Sequence, residues 1–528
     1  MQKVDNLIGG WDINLSKKYF TVKSQFYDDF FSLVADSDTL DVSIALSKVK
    51  NSWDDCQKIS FKDRVNIIEK AAKNLNFSDD EIQSIVKIIG MPKTYISEQI
   101  NQIPKIMVSF WKTITKRYGF NYEQIGLDFI ENESFHKIEF RKSIEGFVYA
   151  ITPGNDPRIT ALVSTVLVLL GIPGIIKPSK TDNIIPIKVV KAIIDAGYPA
   201  NGLSVLFFDS ENPKSKKLNF KICDEATVIW PFGDDNTINN LVRIENKTFL
   251  DVDKFIEDKK LLDIEKESQK FIKELEKLGD KLNNYILTQA IDHFGSKLVL
   301  KHKSGRCAGI LDSDFDLNLA AKLIVESSMR YPIGCNSLKS VFVADAIFDK
   351  FVKILSTEFN SLEKYTSDPL DRKTKVGYID KKTLLFLEKR IDELKRLNLV
   401  SVLYPWKKIN SVQFTPLLVS TNDVNSELLI NEIPAYILCL IKVNSFEEAV
   451  AHINRLSKSN PKLAVSYFTN NSNHMKLHIN AHHLKINYLT TDIDGIIHEG
   501  NDYIMQLTRP YVVHIHKDHS KIHPYRVK

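Results

Sequence analysis

The sequence predicts an α/β protein made of two halves, each a mostly parallel sheet with helices on both faces. Three observations carry this prediction. From residue 146, short β-rich runs alternate with helical patterns. The runs are apolar at nearly every position rather than at alternate ones, as strands covered on both faces require. The same alternation starts again near residue 297.

Taken in order, the first ~120 residues read as helices. FKDRVNIIEKAAKNL sets Phe61, Val65, Ile68, Ala72 and Leu75 on one face, and Ser60 with Asp63 has the spacing of a capping box. HKIEFRK, within 124–145, reads as a strand. GFVYAIT is a strand, PGNDP a turn with Pro157 suited to a first helical position, and ITALVSTVLVLL a helix. GIPGIIKPS returns as turn and strand. NIIPIKVVKAIIDAG is a helix stopped by glycine, and LSVLFF and ATVIWPFG are further strands. Residues 246–292 are charged and read as an amphipathic helix through Ile264, Phe271, Leu275, Leu278 and Leu282. In the second half, LAAKLIVESSM reads as a helix and SVFV, AVSYFT and LKINYLT as strands. SFEEAVAHINRL is a helix capped by Ser445 and Glu448. The C-terminal stretch is partly strand-like and does not fold alone.

Bulk properties narrow the function. The 528 residues exceed one simple domain and bury a large core. The net charge of +5 comes from 71 basic and 66 acidic side chains, too near balance to argue for nucleic acid or an anionic membrane. Ile159–Ile176 is long enough to cross a bilayer, but Gly171, Pro173 and Gly174 interrupt it, so a buried helix and strand are expected. The five cysteines form no CxxC pair, which argues against a disulfide framework and for a reducing, cytoplasmic setting. The N-terminus lacks the apolar core of a signal peptide. His514, His516, His519 and His523 have no cysteine or dense carboxylate cluster beside them, so no metal site is expected.

Parallel sheets bind ligands at the carboxyl ends of their strands. PGNDP, KPSK and PFGDD all fall there. Cys335 sits in a turn-like PIGCN between a helix and a strand pattern. A thiolate at a backbone corner is a strong nucleophile near neutral pH, although a cysteine alone reads more simply as buried structure.

The order of these strings resembles the aldehyde dehydrogenase superfamily from about residue 40 to residue 490. ITPGNDP, IIKPS, a strand ending FG, SGR, the PIGCN cysteine and NEIPAY follow the family's PWN-x-P, KPSE, FTGSxxxG, ELGGK, GQxC and EIFGP. The resemblance implies an aldehyde dehydrogenase-like fold. Residues 1–123 and 146–296 would form a Rossmann-type dinucleotide-binding domain with the 246–292 insertion. Residues 297–488 would form the α/β catalytic domain. Residues 124–145 and 489–528 would form a small oligomerisation segment, giving a homodimer or homotetramer.

The resemblance also implies roles. Cys335 stands at the nucleophile position and Asn155 at the oxyanion donor, a role otherwise explained by asparagine's fitness for turns. Pro153, Lys177, Ser179, Lys180, Gly233 and Glu432 stand where the family holds NAD or NADP. His302 replaces the glutamate of ELGGK, 33 residues before Cys335. Without that glutamate, water is poorly activated, whereas the thiol of coenzyme A ionises readily. His302 could still act as a base, or be a surface residue between Lys301 and Lys303. KPSE has become KPSK, and Lys180 would attract a 2′-phosphate, tilting the coenzyme to NADP. Asp234 replaces the serine that faces the pyrophosphate. The function implied is NAD(P)-dependent interconversion of an acyl-CoA and an aldehyde, with coenzyme A as co-substrate. The alternatives are an aldehyde dehydrogenase that releases a carboxylic acid and a degenerate member that binds ligand without turnover.

Overall fold

The structure, a computed structural model, describes residues 2–118, 126–131, 135–233, 298–300, 302, 305–458, 461–491, 497–498 and 501–516. The predicted amphipathic helix of 246–292 lies outside them, as do Asp234, His519 and His523.

The N-terminal segment corrects the all-helical expectation. It opens with five short strands, β1 (Gln2–Val4), β2 (Asn6–Ile8), β3 (Trp11–Ile13), β4 (Tyr19–Lys23) and β5 (Phe31–Ala35). Three-residue strands carry too little periodicity to announce themselves. They pair mostly with one another, β1 and β4 with β5 and β2 with β3, and β2 also joins β10 of the first sheet. Five helices follow: α1 (Thr39–Asn51), α2 (Trp53–Lys58), α3 (Phe61–Asn74), α4 (Asp79–Ile89) and α5 (Lys93–Tyr118). The Ser60 side chain accepts from Asp63 N–H, as the sequence pattern predicts for α3.

Next come β6 (Gly126–Glu131), β7 (Phe135–Ser143) and β8 (Val148–Thr152), then α6 (Ile159–Leu170), β9 (Gly174–Pro178) and α7 (Ile185–Asp195). β10 (Leu203–Val205), α8 (Pro213–Glu225), β11 (Val228–Pro231) and β12 (Leu298–Val299) complete the first sheet, ordered β12-β11-β8-β9-β10-β2-β3. Its first five strands are parallel, and β2 joins the edge antiparallel to β10. Chain order reverses between β8 and β11, and in such sheets ligands usually sit at the strand ends beside that reversal.

Helix α6 is almost wholly buried, and among the described residues no helix is long and apolar enough to cross a membrane. Its C-terminus is fixed in place. Gly171 takes φ 64°, and the Arg64 guanidinium lies where a Cβ there would be. Arg64 donates to Leu169 O, Cys56 O and Gln57 O, while Gln57 and Ser143 donate to Leu170 O. A buried cation at a helix C-terminus satisfies free carbonyls and matches the helix dipole. The opposite end of α6 therefore points at the crevice. The helix starts at Ile159, two residues after Pro157, so that proline ends the turn rather than opening the helix.

The second half holds β13 (Cys307–Leu311), α9 (Leu317–Met329), β14 (Leu338–Ala344), β15 (Val400–Tyr404), the hairpin β16–β17 (Lys408–Asn410, Gln413–Phe414), β18 (Leu417–Thr421), β19 (Ile437–Val443), β20 (Lys462–Phe468) and β21 (Ala481–Ile486). The sheet runs β15-β18-β19-β14-β13-β20-β21, parallel except for β15. Only half of the predicted capping box at 445–448 forms as written. Ser445 accepts from Glu448 N–H, but the Glu448 carboxylate accepts from Asn444 N–H. After a small hairpin, β22 (Ile497–His498) and β23 (Asn501–Asp502), the last strand, β24 (Thr508–His516), pairs antiparallel with β7 over nine residues.

Candidate active site

Three loops meet where the two halves face each other. The first is the turn after β8, residues 153–158. Its Gly154 lies against Thr181 and Ser179 of the turn after β9, and a Cβ there would stand 1.9 Å from Thr181 Oγ1. Any larger residue would separate the two turns. The second is the Tyr331–Ser337 loop between α9 and β14, which carries Cys335. Asn155 joins them, because its Nδ2 donates to Ile333 O at 2.7 Å. An amide nitrogen carries two protons, so this bond leaves one for another acceptor. A cavity of about 260 Å³ opens there, with Gly154, Asn155 and Thr181 on one side and Ile333, Tyr378, Ile379 and Asp380 on the other.

The third loop contains Glu432. Its carboxylate accepts from Gly305 N–H at 2.7 Å, and a Cβ on Gly305 would stand 1.6 Å from the Cys335 carbonyl oxygen. Only glycine lets β13 begin flush against the loop that carries Cys335. Beneath, the buried Lys339 donates to Pro332 O at 2.6 Å and Ala435 O at 3.1 Å, tying the Cys335 loop to the Glu432 loop. The β13–β14 register skips Lys339, and such an irregularity re-aims a side chain. Burial pushes its ammonium well below the ordinary lysine range, with the Glu432 carboxylate opposing that shift.

All five thiols are free. Cys335 is partly exposed and the other four are buried. Burial holds the Cys307 and Cys439 thiols up at about 12 and raises Cys56 as well. Cys335 packs against the small cluster of Cys307, Leu463 and Ala464.

The remaining predicted residues fall as follows. Lys177 is half-buried near the end of β9, and burial lowers its pKa, so it is not a fully solvated lysine. Ser179 shares a hydrogen bond with Thr181 at 3.0 Å, and Pro153 lies in the neighbouring turn. Lys180 is exposed and pairs with Glu211 at 3.4 Å, a neighbour the sequence reading did not foresee. Gly233 N–H donates to His302 O at 3.2 Å. His302 corrects one expectation, since it is no surface residue: it is 3% exposed. It stacks on Phe232 at 4.1 Å, and its Nε2 meets the Tyr503 hydroxyl at 2.9 Å. Among the described residues no cluster of three or more potential metal ligands occurs.

Sequence reasoning passed over Lys339, Asp156, Arg158 and Tyr331. Lys339 leaves a visible trace, a lysine inside the apolar run LKSVFV. Arg158 binds Asp156 through two nitrogens at 2.9 and 2.8 Å and donates to Gln102 at 3.1 Å.

The family model described as "Aldehyde dehydrogenase family" matches residues 13–216 and 282–500. The chain belongs to the aldehyde dehydrogenase family. The break in the match, 217–281, overlaps the atypical charged stretch. Among solved members, a salicylaldehyde dehydrogenase from Pseudomonas putida G7, complexed with salicylaldehyde, is similar with a TM-score of 0.76 at 14% identity. That similarity covers 99% of this chain and 100% of the other. An NADP-dependent glyceraldehyde-3-phosphate dehydrogenase from Bacillus halodurans C-125, complexed with NADP, gives 0.75 at 16% identity over 98% of this chain and 100% of that one. At such identities the likeness concerns the fold. A gamma-glutamyl phosphate reductase of Prochlorococcus marinus is 32% identical over 63 residues. That segment is 12% of this chain and 14% of that reductase.

Proposed function

We propose that this chain interconverts an acyl-CoA thioester and an aldehyde with a nicotinamide coenzyme, through an acyl group held on Cys335. The observation that carries this reading is the Asn155–Ile333 bond. It brings a polarised amide to the loop of the one partly exposed thiol, beside a cavity of about 260 Å³ that Gly154, Asn155, Thr181 and Ile333 line.

The crevice suits a dinucleotide. Gly154 permits the two turns to touch, Lys177 and Ser179 sit at the end of β9 beside that contact, and Glu432 lines a separate cavity with Asn431 and Ile433; these are the donors and acceptors proposed for the riboses of the coenzyme. The bound coenzyme would supply or accept hydride. The remaining chemistry falls to the protein. The Cys335 thiolate attacks the thioester carbon and forms a new carbon–sulfur bond. The Asn155 amide and the Cys335 N–H receive the negative oxygen. The oxyanion collapses, the bond to coenzyme A breaks, and its thiolate leaves and is protonated from solvent. After hydride reaches the carbonyl carbon, collapse of the second oxyanion expels the Cys335 thiolate and frees the aldehyde. His302, in place of a carboxylate and enclosed by Phe232 and Tyr503, favours coenzyme A over water as acyl acceptor. Lys180 favours NADP(H), with Glu211 moderating that preference. The antiparallel sheet β24-β7-β6 is the surface proposed for a homodimer or homotetramer.

The test is a panel of acyl-CoA thioesters with NADPH and NADH, with Cys335→Ala as control. Intact mass should show an acyl adduct on the parent and none on Cys335→Ala. Aldehyde oxidation should require added coenzyme A. Oxidation to a carboxylic acid without coenzyme A would instead identify a hydrolytic aldehyde dehydrogenase. Absence of turnover and adduct with every acyl donor would identify a binding protein.

A further inference from the structure

Lys339 stands four residues after Cys335, in a strand whose residues 338–343 are all buried. Its own side chain is 5% exposed. Taking an ammonium out of water is costly, and an apolar side chain of similar length fills such a position without that cost. The sheet is irregular around it. Cys307 pairs with Leu338 and Ala308 with Ser340, so Lys339 faces no residue of β13, and such a bulge re-aims the side chain.

The groups that the side chain reaches account for its presence. Nζ donates to Pro332 O at 2.6 Å and to Ala435 O at 3.1 Å. Pro332 precedes Ile333, whose carbonyl accepts from Asn155, and Cys335 lies three residues beyond it. Ala435 lies three residues after Glu432, whose carboxylate accepts from Gly305 N–H. One nitrogen therefore bonds the main chain of both loops. The Asn155 and Gly305 bonds hold each loop to another part of the chain, and neither bonds the backbone of one loop to that of the other.

Under the acyl-transfer reading the two loops do different work. Cys335, with Asn155, takes up the acyl group, and Glu432 is proposed for a ribose of the coenzyme. Acylation needs only the first loop in place. Hydride transfer needs both, since the carbon on sulfur must meet the nicotinamide at reacting distance.

We infer that Lys339 is a positioning residue for the reduction step: by holding Pro332 O and Ala435 O on one nitrogen, it sets the separation between the acyl group on Cys335 and the coenzyme ring. This rests on the acyl-transfer reading of Cys335 and gives Lys339 no contact with substrate. A misplacement of about 1 Å between reacting groups costs about 100-fold in rate.

The experiment uses the full chain, the parent beside Lys339→Met and Lys339→Arg, with acetyl-, butyryl-, octanoyl- and succinyl-CoA. Intact mass follows the acyl adduct on Cys335 without coenzyme, and a single turnover at saturating NADPH follows its reduction. Lys339→Met should acylate within about threefold of the parent and reduce the adduct about 100-fold more slowly. It should melt within about 5 °C of the parent, because loss of the buried charge offsets the carbonyls left without this donor. Lys339→Arg keeps donors for both carbonyls and should recover reduction to within about tenfold of the parent. Equal loss of acylation and reduction in Lys339→Met overturns the inference, since Lys339 would then serve the sulfur alone. So does a Lys339→Met that reduces its adduct at the parent rate, one that does not fold, or a Lys339→Arg no faster than Lys339→Met. In each of these cases the parent still forms the adduct, and the acyl-transfer reading stands. No adduct on the parent with any of the four thioesters overturns that reading and this inference with it.

Discussion

The side chain of Asn155 donates to the backbone of Ile333 at 2.7 Å, across 178 residues of chain, and so fixes the Cys335 loop to the turn after β8. One proton of the amide is used in this bond and the other remains for a second acceptor, which the acyl-transfer proposal takes to be the substrate oxygen. Asn155→Ala removes both. It should lower kcat by about 100- to 1,000-fold, the usual effect of deleting an oxyanion donor. Melting curves separate the two roles. A bond that served only to join the loops would lower the melting temperature and leave kcat per folded molecule intact.

Thiol chemistry gives an independent check on the nucleophile. Cys335 is the only partly exposed cysteine of the five, and burial raises the pKa of Cys56, Cys307 and Cys439. Iodoacetamide at neutral pH should therefore label Cys335 roughly 100 times faster than any of the others. Peptide mapping after one equivalent of reagent reads this directly. Labelling that fell first on Cys223 or Cys307 would sink the assignment.

The α6 segment shows why much of the fold was legible. Its twelve residues, mostly apolar, are bounded by a turn string and a glycine, and Ile159–Leu170 is the helix the sequence predicts. β8, β9 and α9 were legible for the same reason, being continuous runs between clear stops. The N-terminal strands were not, because strands of three to five residues carry little periodicity, and β2 is placed in the sheet by its pairing with β10, a partner distant in the chain. The candidate site divides in the same way. Cys335, Asn155 and Glu432 sit in strings whose order carries information. Arg158 and Tyr331 depend on which side chains face each other, and the orphaned hydroxyl of Tyr331 is visible only in three dimensions. Glu211 was missed because its partner Lys180 lies 31 positions away, at the end of another strand.

The buried Lys462 makes stability depend on pH in a defined direction. Its ammonium donates to Leu429 O at 3.3 Å, and burial lowers its pKa from 10.5 to about 8. Below pH 8 the native and unfolded chains both carry the proton, and the cost of burying the charge is fully present. Between about 8 and 10.5 the unfolded chain holds a proton the native chain has lost, so native stability rises with pH. Lys462→Met removes this dependence. Relative to the parent, the variant should lose about 3 kcal/mol of advantage between pH 7 and pH 10.5. Urea unfolding at the two pH values measures the change. An equal difference at both would mean that the ammonium is not buried as charge.

His302 and Tyr503 connect the candidate site to the C-terminal segment. The imidazole Nε2 and the phenol are 2.9 Å apart, and Tyr503 is 1% exposed. Removing one partner of a buried pair exposes the other to the full loss of solvation. Tyr503→Phe should cost about 1–3 kcal/mol of stability and shift the His302 ring resonances in NMR. If acyl release depends on coenzyme A and not on a His302 base, kcat of the folded variant should stay within about threefold of the parent. A much larger fall in kcat, with little loss of stability, would return His302 to a direct role in proton transfer.

Coenzyme choice should turn on the exposed pair at the end of β9. Lys180 Nζ and Glu211 Oε1 are 3.4 Å apart, with side chains 42% and 81% exposed, so solvent and salt screen the pair heavily. A 2′-phosphate arriving at Lys180 meets the Glu211 carboxylate as well, which repels it. Glu211→Gln should therefore lower KM for NADPH several-fold and leave KM for NADH almost unchanged. Lys180→Glu should raise KM for NADPH by about tenfold or more, since it sets two carboxylates against the phosphate. Both effects should shrink between low and high salt, as expected of an interaction at the surface. If the NADPH-to-NADH ratio ignores both substitutions, the adenosine ribose lies elsewhere, and the basic residue that follows KPS has no part in selecting the coenzyme.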